Sequence, residues 1–120
     1  MDGVYRVEFE NLDGVPINGG IVVFDRGRFE GGTGGYHYAG TFGFKAGNRF
    51  RGEGSVIRHA AAAQKIFGVF GDGCSEFDMI LIGFVEGDHV RGLLVCLDER
   101  CLTMRFRLAR KIRFVEKGVA

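Results

Sequence analysis

The chain has one proline and no tryptophan in 120 residues, and only three cysteines: Cys74, Cys96 and Cys101. So little proline excludes collagen-like and polyproline architectures. An odd, unframed set of cysteines excludes a disulfide scaffold and suits a reducing compartment. Free thiols are expected, with a Cys96–Cys101 hairpin disulfide as the alternative. Charge of one sign is missing as well, since 16 basic against 15 acidic residues leave a formal net charge of +1. No global field therefore draws the protein to nucleic acid or to an anionic membrane. No apolar run approaches the roughly 20 residues of a membrane helix. The opening Met1-Asp2-Gly3-Val4-Tyr5-Arg6 has neither a basic n-region nor an apolar h-region, so a cytoplasmic protein without a secretory signal is expected.

What the chain has in quantity is glycine, 21 residues, and phenylalanine, 12, within a hydrophobic fraction of 46%. Glycine without a collagen period, interleaved with aromatics, points to tight turns between short strands. Period-two alternation, which places alternate side chains on opposite faces of a strand, runs through most of the sequence. Tyr5, Val7 and Phe9 oppose Arg6, Glu8 and Glu10 over residues 4–10. Further strands are expected at 20–25, 28–31, 36–44, 49–59, from Cys74 onward, 89–97 and 101–110. In the fifth, Phe50, Gly52, Gly54 and Val56 share one face, and its two glycines allow a sharp bend. Eight strands joined mostly by short turns predict an all-β, antiparallel, up-and-down, lipocalin-like barrel over residues 1–110, followed by a basic tail over 111–120. The alternation fails only over about 60–73. That segment reads as a long connection near one barrel end, with Phe67, Val69 and Phe70 as candidate plug residues.

Nothing in the sequence has the spacing of a catalytic or cofactor site. Gly31-Gly32-Thr33-Gly34-Gly35 lacks the Lys-Ser/Thr and the following helix that a phosphate loop requires, and reads as a flexible connection or bulge. His37, His59 and His89 fall on three different strands, and Cys96 and Cys101 have no partner pair, so no metal is expected. Ser55 and Ser75 stand in no nucleophile elbow. Neither an enzyme nor a cofactor is expected. Phe50, Val56, Met104, Phe106 and Leu108 are candidate linings of a barrel cavity, where a small apolar ligand would sit. Strands apolar on both faces, around Val22-Val23 and Ile80–Ile82, predict a homodimer. The basic run from Arg100 to Lys117 reads as the solvent face of the last strand plus the tail. Membrane insertion and nucleic-acid binding are not expected.

The segments Gly3-Val4-Tyr5-x-Val7-x-Phe9, Gly19-Gly20-Ile21-Val22-Val23, Gly31-Gly32-x-x-x-Tyr36-x-Tyr38-x-Gly40 and Ile66-Phe67-Gly68 together resemble the GrlR-like family. These are small bacterial proteins named after a negative regulator of a type III secretion locus. The resemblance spans Gly3 to about Leu108. It implies an eight-stranded barrel with a hydrophobic cavity, a loop plugging one end, and a homodimer. It also implies regulation by protein–protein contact, with a transcription regulator or secretion-system protein as partner, because the named member sequesters a transcriptional activator. That member uses an acidic Glu-Asp-Glu-Asp loop between two central strands. The matching turn here, Lys45, Ala46, Gly47, Asn48 and Arg49, has no acidic residue, so it is a candidate partner loop without any carried-over binding residue.

Overall fold

A computed structural model of the protein describes residues 1–33, 35–58, 76–98 and 103–113. Among them no helix occurs, so none is long and apolar enough to cross a membrane. Eight strands follow in chain order: β1 (Gly3–Glu10), β2 (Pro16–Asp25), β3 (Arg28–Thr33), β4 (Tyr36–Phe44), β5 (Arg49–Arg58), β6 (Glu76–Glu86), β7 (His89–Cys96) and β8 (Met104–Arg113). Each pairs antiparallel with the next, and β8 pairs with β1, so the sheet closes into an up-and-down barrel. The expected fold class is the observed one. The long connection expected over 60–73, with Phe67, Val69 and Phe70, lies outside the described residues.

Several boundaries differ from the sequence reading, three of them with a structural consequence. β2 starts at Pro16 rather than Gly20, because β1 shifts register between Val7 and Phe9 and keeps pairing past the irregularity. β3 runs on to Thr33. Its glycines are therefore not a flexible connection: Gly31 and Gly32 pair with Tyr38 and His37 through backbone alone. β8 continues to Arg113, where a register shift between Val4 and Tyr5 lets Ile112 and Arg113 face Val4 and Gly3. Residues 111–113 thus belong to the barrel and not to a tail.

One face of every strand fills the barrel. Tyr5, Val7, Phe9, Val22, Phe24, Phe29, Tyr36, Tyr38, Phe50, Val56, Phe77, Met79, Leu81, Val90, Leu94, Met104, Phe106 and Leu108 form a single buried cluster. Each such side chain contributes roughly 1.5–3 kcal/mol when fully buried, which makes this cluster the main source of stability. Aromatic rings meet edge to face inside it, at 5.3 Å between Tyr5 and Phe24 and 6.1 Å between Phe50 and Phe106. Two glycine pairs set the curvature. Gly40 lies opposite Gly54, and Gly83 opposite Gly92. A Cβ on either member of either pair would run into the neighbouring strand's backbone, so only glycine allows these strands to approach so closely.

Candidate functional site

The five residues expected to line a cavity, Phe50, Val56, Met104, Phe106 and Leu108, all point inward and are at most 4% exposed. They pack within the core cluster. The interior does hold a polar irregularity. The Tyr38 hydroxyl is buried among apolar side chains with no hydrogen-bond partner, and burial pushes its pKa above the ordinary tyrosine range. Cys96, a half-buried thiol packed against the same core, has its pKa pushed up to about 11, first by burial and then by the Asp98 charge. A thiol held neutral at physiological pH is a poor nucleophile. His37 lies outside the barrel, with its Nε2 3.1 Å from a Glu30 carboxylate oxygen, and Ser55 donates a hydrogen bond to Asp78. Among the described residues no three His, Cys, Asp or Glu side chains gather as a metal would require.

The end of the barrel formed by the β1 start, the β8 end and the β6–β7 turn is closed by a charged clasp. Arg110, with a side chain only 10% exposed, reaches Asp88 at 2.6 Å and lays its guanidinium 5.6 Å from the centre of the Tyr5 ring. Arg113 reaches the same Asp88 oxygen at 3.0 Å. The hydrogen bonds and charge of these arginines, Arg110 foremost, hold the Asp88 carboxyl below its usual range. Burial raises the Tyr5 pKa, and its hydroxyl donates to the Met1 carbonyl.

The partner-loop candidates form the exposed β4–β5 turn. Lys45 N–H donates to the Arg49 carbonyl, and Asn48 exchanges two hydrogen bonds with Val85 of β6. Lys45, Ala46 and Gly47 extend into solvent. Arg49 is exposed as well, but its guanidinium lies 6.0 Å from the Phe84 ring centre, on the outer wall of the barrel.

That outer wall is where chemistry concentrates. Strand register aligns two rows of outward side chains across five strands. The first row is Glu8, Arg107, Arg91, Phe84 and Arg49, and the second is Glu10, Arg105, Leu93, Ile82 and Arg51. Five arginines and two glutamates share ten positions, a local cationic excess that the nearly neutral whole chain conceals. Arg91 and Arg107 stand directly opposite each other, and like charges in that relation repel. Arg91 is held by Glu86 at 3.0 Å. The other pairings are loose and exposed, Arg6–Glu8 at 3.8 Å and Arg105–Glu10 at 3.9 Å, and contribute little. The wall opens a groove of about 1270 Å³ crossing β2, β1, β8, β7 and β6, with Leu12, Ile21, Phe84 and Leu93 among its apolar walls and Arg6, Arg91, Arg105 and Arg107 rising from it.

Of the residues singled out in the sequence, only Arg49 lies in these rows as a named site candidate. Arg105 and Arg107 lie on the solvated face expected of the last strand, with neighbours on β7 on one side and, on the other, on β1 from the opposite end of the chain. The alternation of β1, β7 and β8 carried the needed signal, once strand order and register were known. No protein-family model matches this chain and no curated protein matches it, so the geometry of the barrel carries the functional argument.

Proposed function

We propose that this chain is a non-enzymatic, regulatory binding protein that acts through contact between the outer wall of its barrel and other protein chains. The observation that carries the reading is the arginine-and-apolar surface across β1, β8, β7, β6 and β5, on a barrel whose interior positions are taken by packed apolar side chains. Ile82 and Phe84, 42% and 47% exposed, stand two residues apart on the outer face of β6, more apolar surface than a lone outward residue presents. A homodimer covers such a surface economically, since one patch meets its own copy. The resemblance to the GrlR-like family supports the same direction: regulation by contact with a transcription regulator or secretion-system protein.

A second reading, a carrier or sensor of a small apolar ligand, is favoured by one observation. The unpartnered Tyr38 hydroxyl is the sort of single polar group that orients a ligand in an apolar pocket. Native mass spectrometry of the protein purified from its own host separates the two. A bare homodimer, or a complex with another protein, is the expected result. A reproducible added mass of a few hundred daltons, lost on Tyr38→Phe, would move the assignment to the carrier. A monomer with no protein bound would overturn the regulatory reading.

A further inference from the structure

We propose that the groove over β1, β8 and β7 is a docking site for an acidic, amphipathic segment of a partner protein. The proposal rests on the protein-binding reading above and names the chemistry of the bound partner. Its first support is the opposed pair Arg91 and Arg107. Arg107 makes no ion pair among the described residues, because its cross-strand neighbour Glu8 leans instead toward Arg6. Of these two adjacent exposed guanidinium groups only Arg91 has a carboxylate, Glu86 on the β6 side, so the pair gains most from a second carboxylate supplied from outside.

The second support is the placement of apolar surface. Ile21 and Phe84, 50% and 47% exposed, stand at opposite sides of the groove with the arginines between them. A ligand that satisfies both sets presents apolar side chains at its flanks and carboxylates at its centre. The third support is what the groove would reject. Glu8 and Glu10 lie in it, and their charges oppose the closely spaced phosphates of nucleic acid or a lipid surface more than they oppose a few well-placed carboxylates. Finally, the size fits. The three adjacent strands β1, β8 and β7, about 4.8 Å apart, span about 10 Å, close to the width of one α-helix with its side chains. The mode is therefore a short amphipathic helix laid in a groove, with charge selecting the sequence.

The test uses the full chain and a fluorescein-labelled 14-residue peptide with Leu and Phe at helical spacing and Glu on the adjoining face. Binding is expected in the micromolar range, weakening as salt is raised. The same peptide with Gln for every Glu should bind at least tenfold more weakly. The double variant Arg91→Glu with Arg107→Glu should also lose at least tenfold, and the reversal Arg28→Glu on the far wall should lose nothing. Folding of each variant is checked by its far-ultraviolet spectrum and unfolding midpoint, and Arg107→Gln alone, expected to lose several-fold, serves if the double variant is unfolded. Equal affinity for the Glu and Gln peptides, or no loss on charge reversal, overturns the proposal. So does tighter binding of a 12-nucleotide single strand or of phosphatidylserine vesicles, which would make the groove a phosphate site. If the peptide fails while the wild-type chain still forms its homodimer or protein complex in native mass spectrometry, only the groove assignment falls. If both fail, the protein-binding reading falls with it.

Discussion

Two outer walls of the same barrel are built on different electrostatic terms. Across β2, β3, β4, β5 and β6 the outward rows read Val23, Glu30, Ala39, Ser55, Asp78 and Asp25, Arg28, Thr41, Glu53, Ile80. There, Asp25 stands opposite Arg28, Ser55 bonds Asp78, and Glu30 meets His37. No two like charges face each other in those rows. Across β1, β8 and β7 the rows place Arg107 against Arg91 and leave Arg107 without an ion pair among the described residues. Both walls rest on one shared core, so the difference does not come from packing. The first wall sets no like charges against each other, and the second does so at Arg91 and Arg107, at a small local cost in stability. A local departure of that kind is a support for the proposed docking surface.

The comparison can be broken at its base or sharpened at its surface. The largest effect is expected from Gly54→Val, whose side chain would be driven into the Ala39 and Gly40 backbone and force β4 from β5. Thermal unfolding should then show no cooperative transition, whereas Gly43→Val, with nothing near its Cβ, should keep one. Phe106→Ala removes a ring that supports both walls and is expected to cost about 3–5 kcal/mol in urea unfolding. An equal loss with Arg107→Ala would contradict the division between core and wall.

The Asp88 clasp gives a pH-dependent effect of intermediate size. Its carboxyl is held below the usual range in the folded protein, so its stabilising contribution is present above the unfolded-state pKa and is lost as pH falls through the folded one. Asp88→Asn should lower the unfolding midpoint at neutral pH and show less further loss than the wild type in acid. Parallel acid profiles for the two would refute the clasp. The smallest effects compare the walls directly. Arg107→Gln should raise stability by about 0.3 kcal/mol by relieving Arg91 without setting a second carboxylate against Glu8, and Asp25→Lys should lower it by about 0.5 kcal/mol by setting a lysine against Arg28. Shifts of the same sign from both changes would erase the contrast.

Much of this barrel is legible in the sequence, and the reasons it is legible are local. Alternation such as Phe77, Met79, Leu81 against Asp78, Ile80, Ile82 fixes both the strand and its inward face, and turns such as Glu86-Gly87-Asp88 mark the ends. The boundaries that escape are those where a register shift, near Val7 and again near Val4, allows pairing to continue through residues with turn-like or polar composition. The candidate site escapes for a different reason. Positions 8, 107, 91, 84 and 49 become one row only through the pairing of five strands, and no linear spacing encodes it. Along the chain, Arg105 and Arg107 alternate with core residues and read as an ordinary wet face. Only the cross-strand neighbours turn them into a surface with a preference.

The pairing of β8 with β1 has one more consequence. The eight described strands close on one another and leave no unpaired row of backbone amides and carbonyls, so no partner can add itself to this sheet as another strand. Contact with the barrel wall must then be made through side chains. Backbone-mediated recognition tolerates substitution on both partners, because the peptide group is the same at every position. Side-chain recognition does not, and a single outward change, which leaves the inward core untouched, is enough to exchange one partner for another. A barrel of this kind can keep its shape while its allegiance drifts.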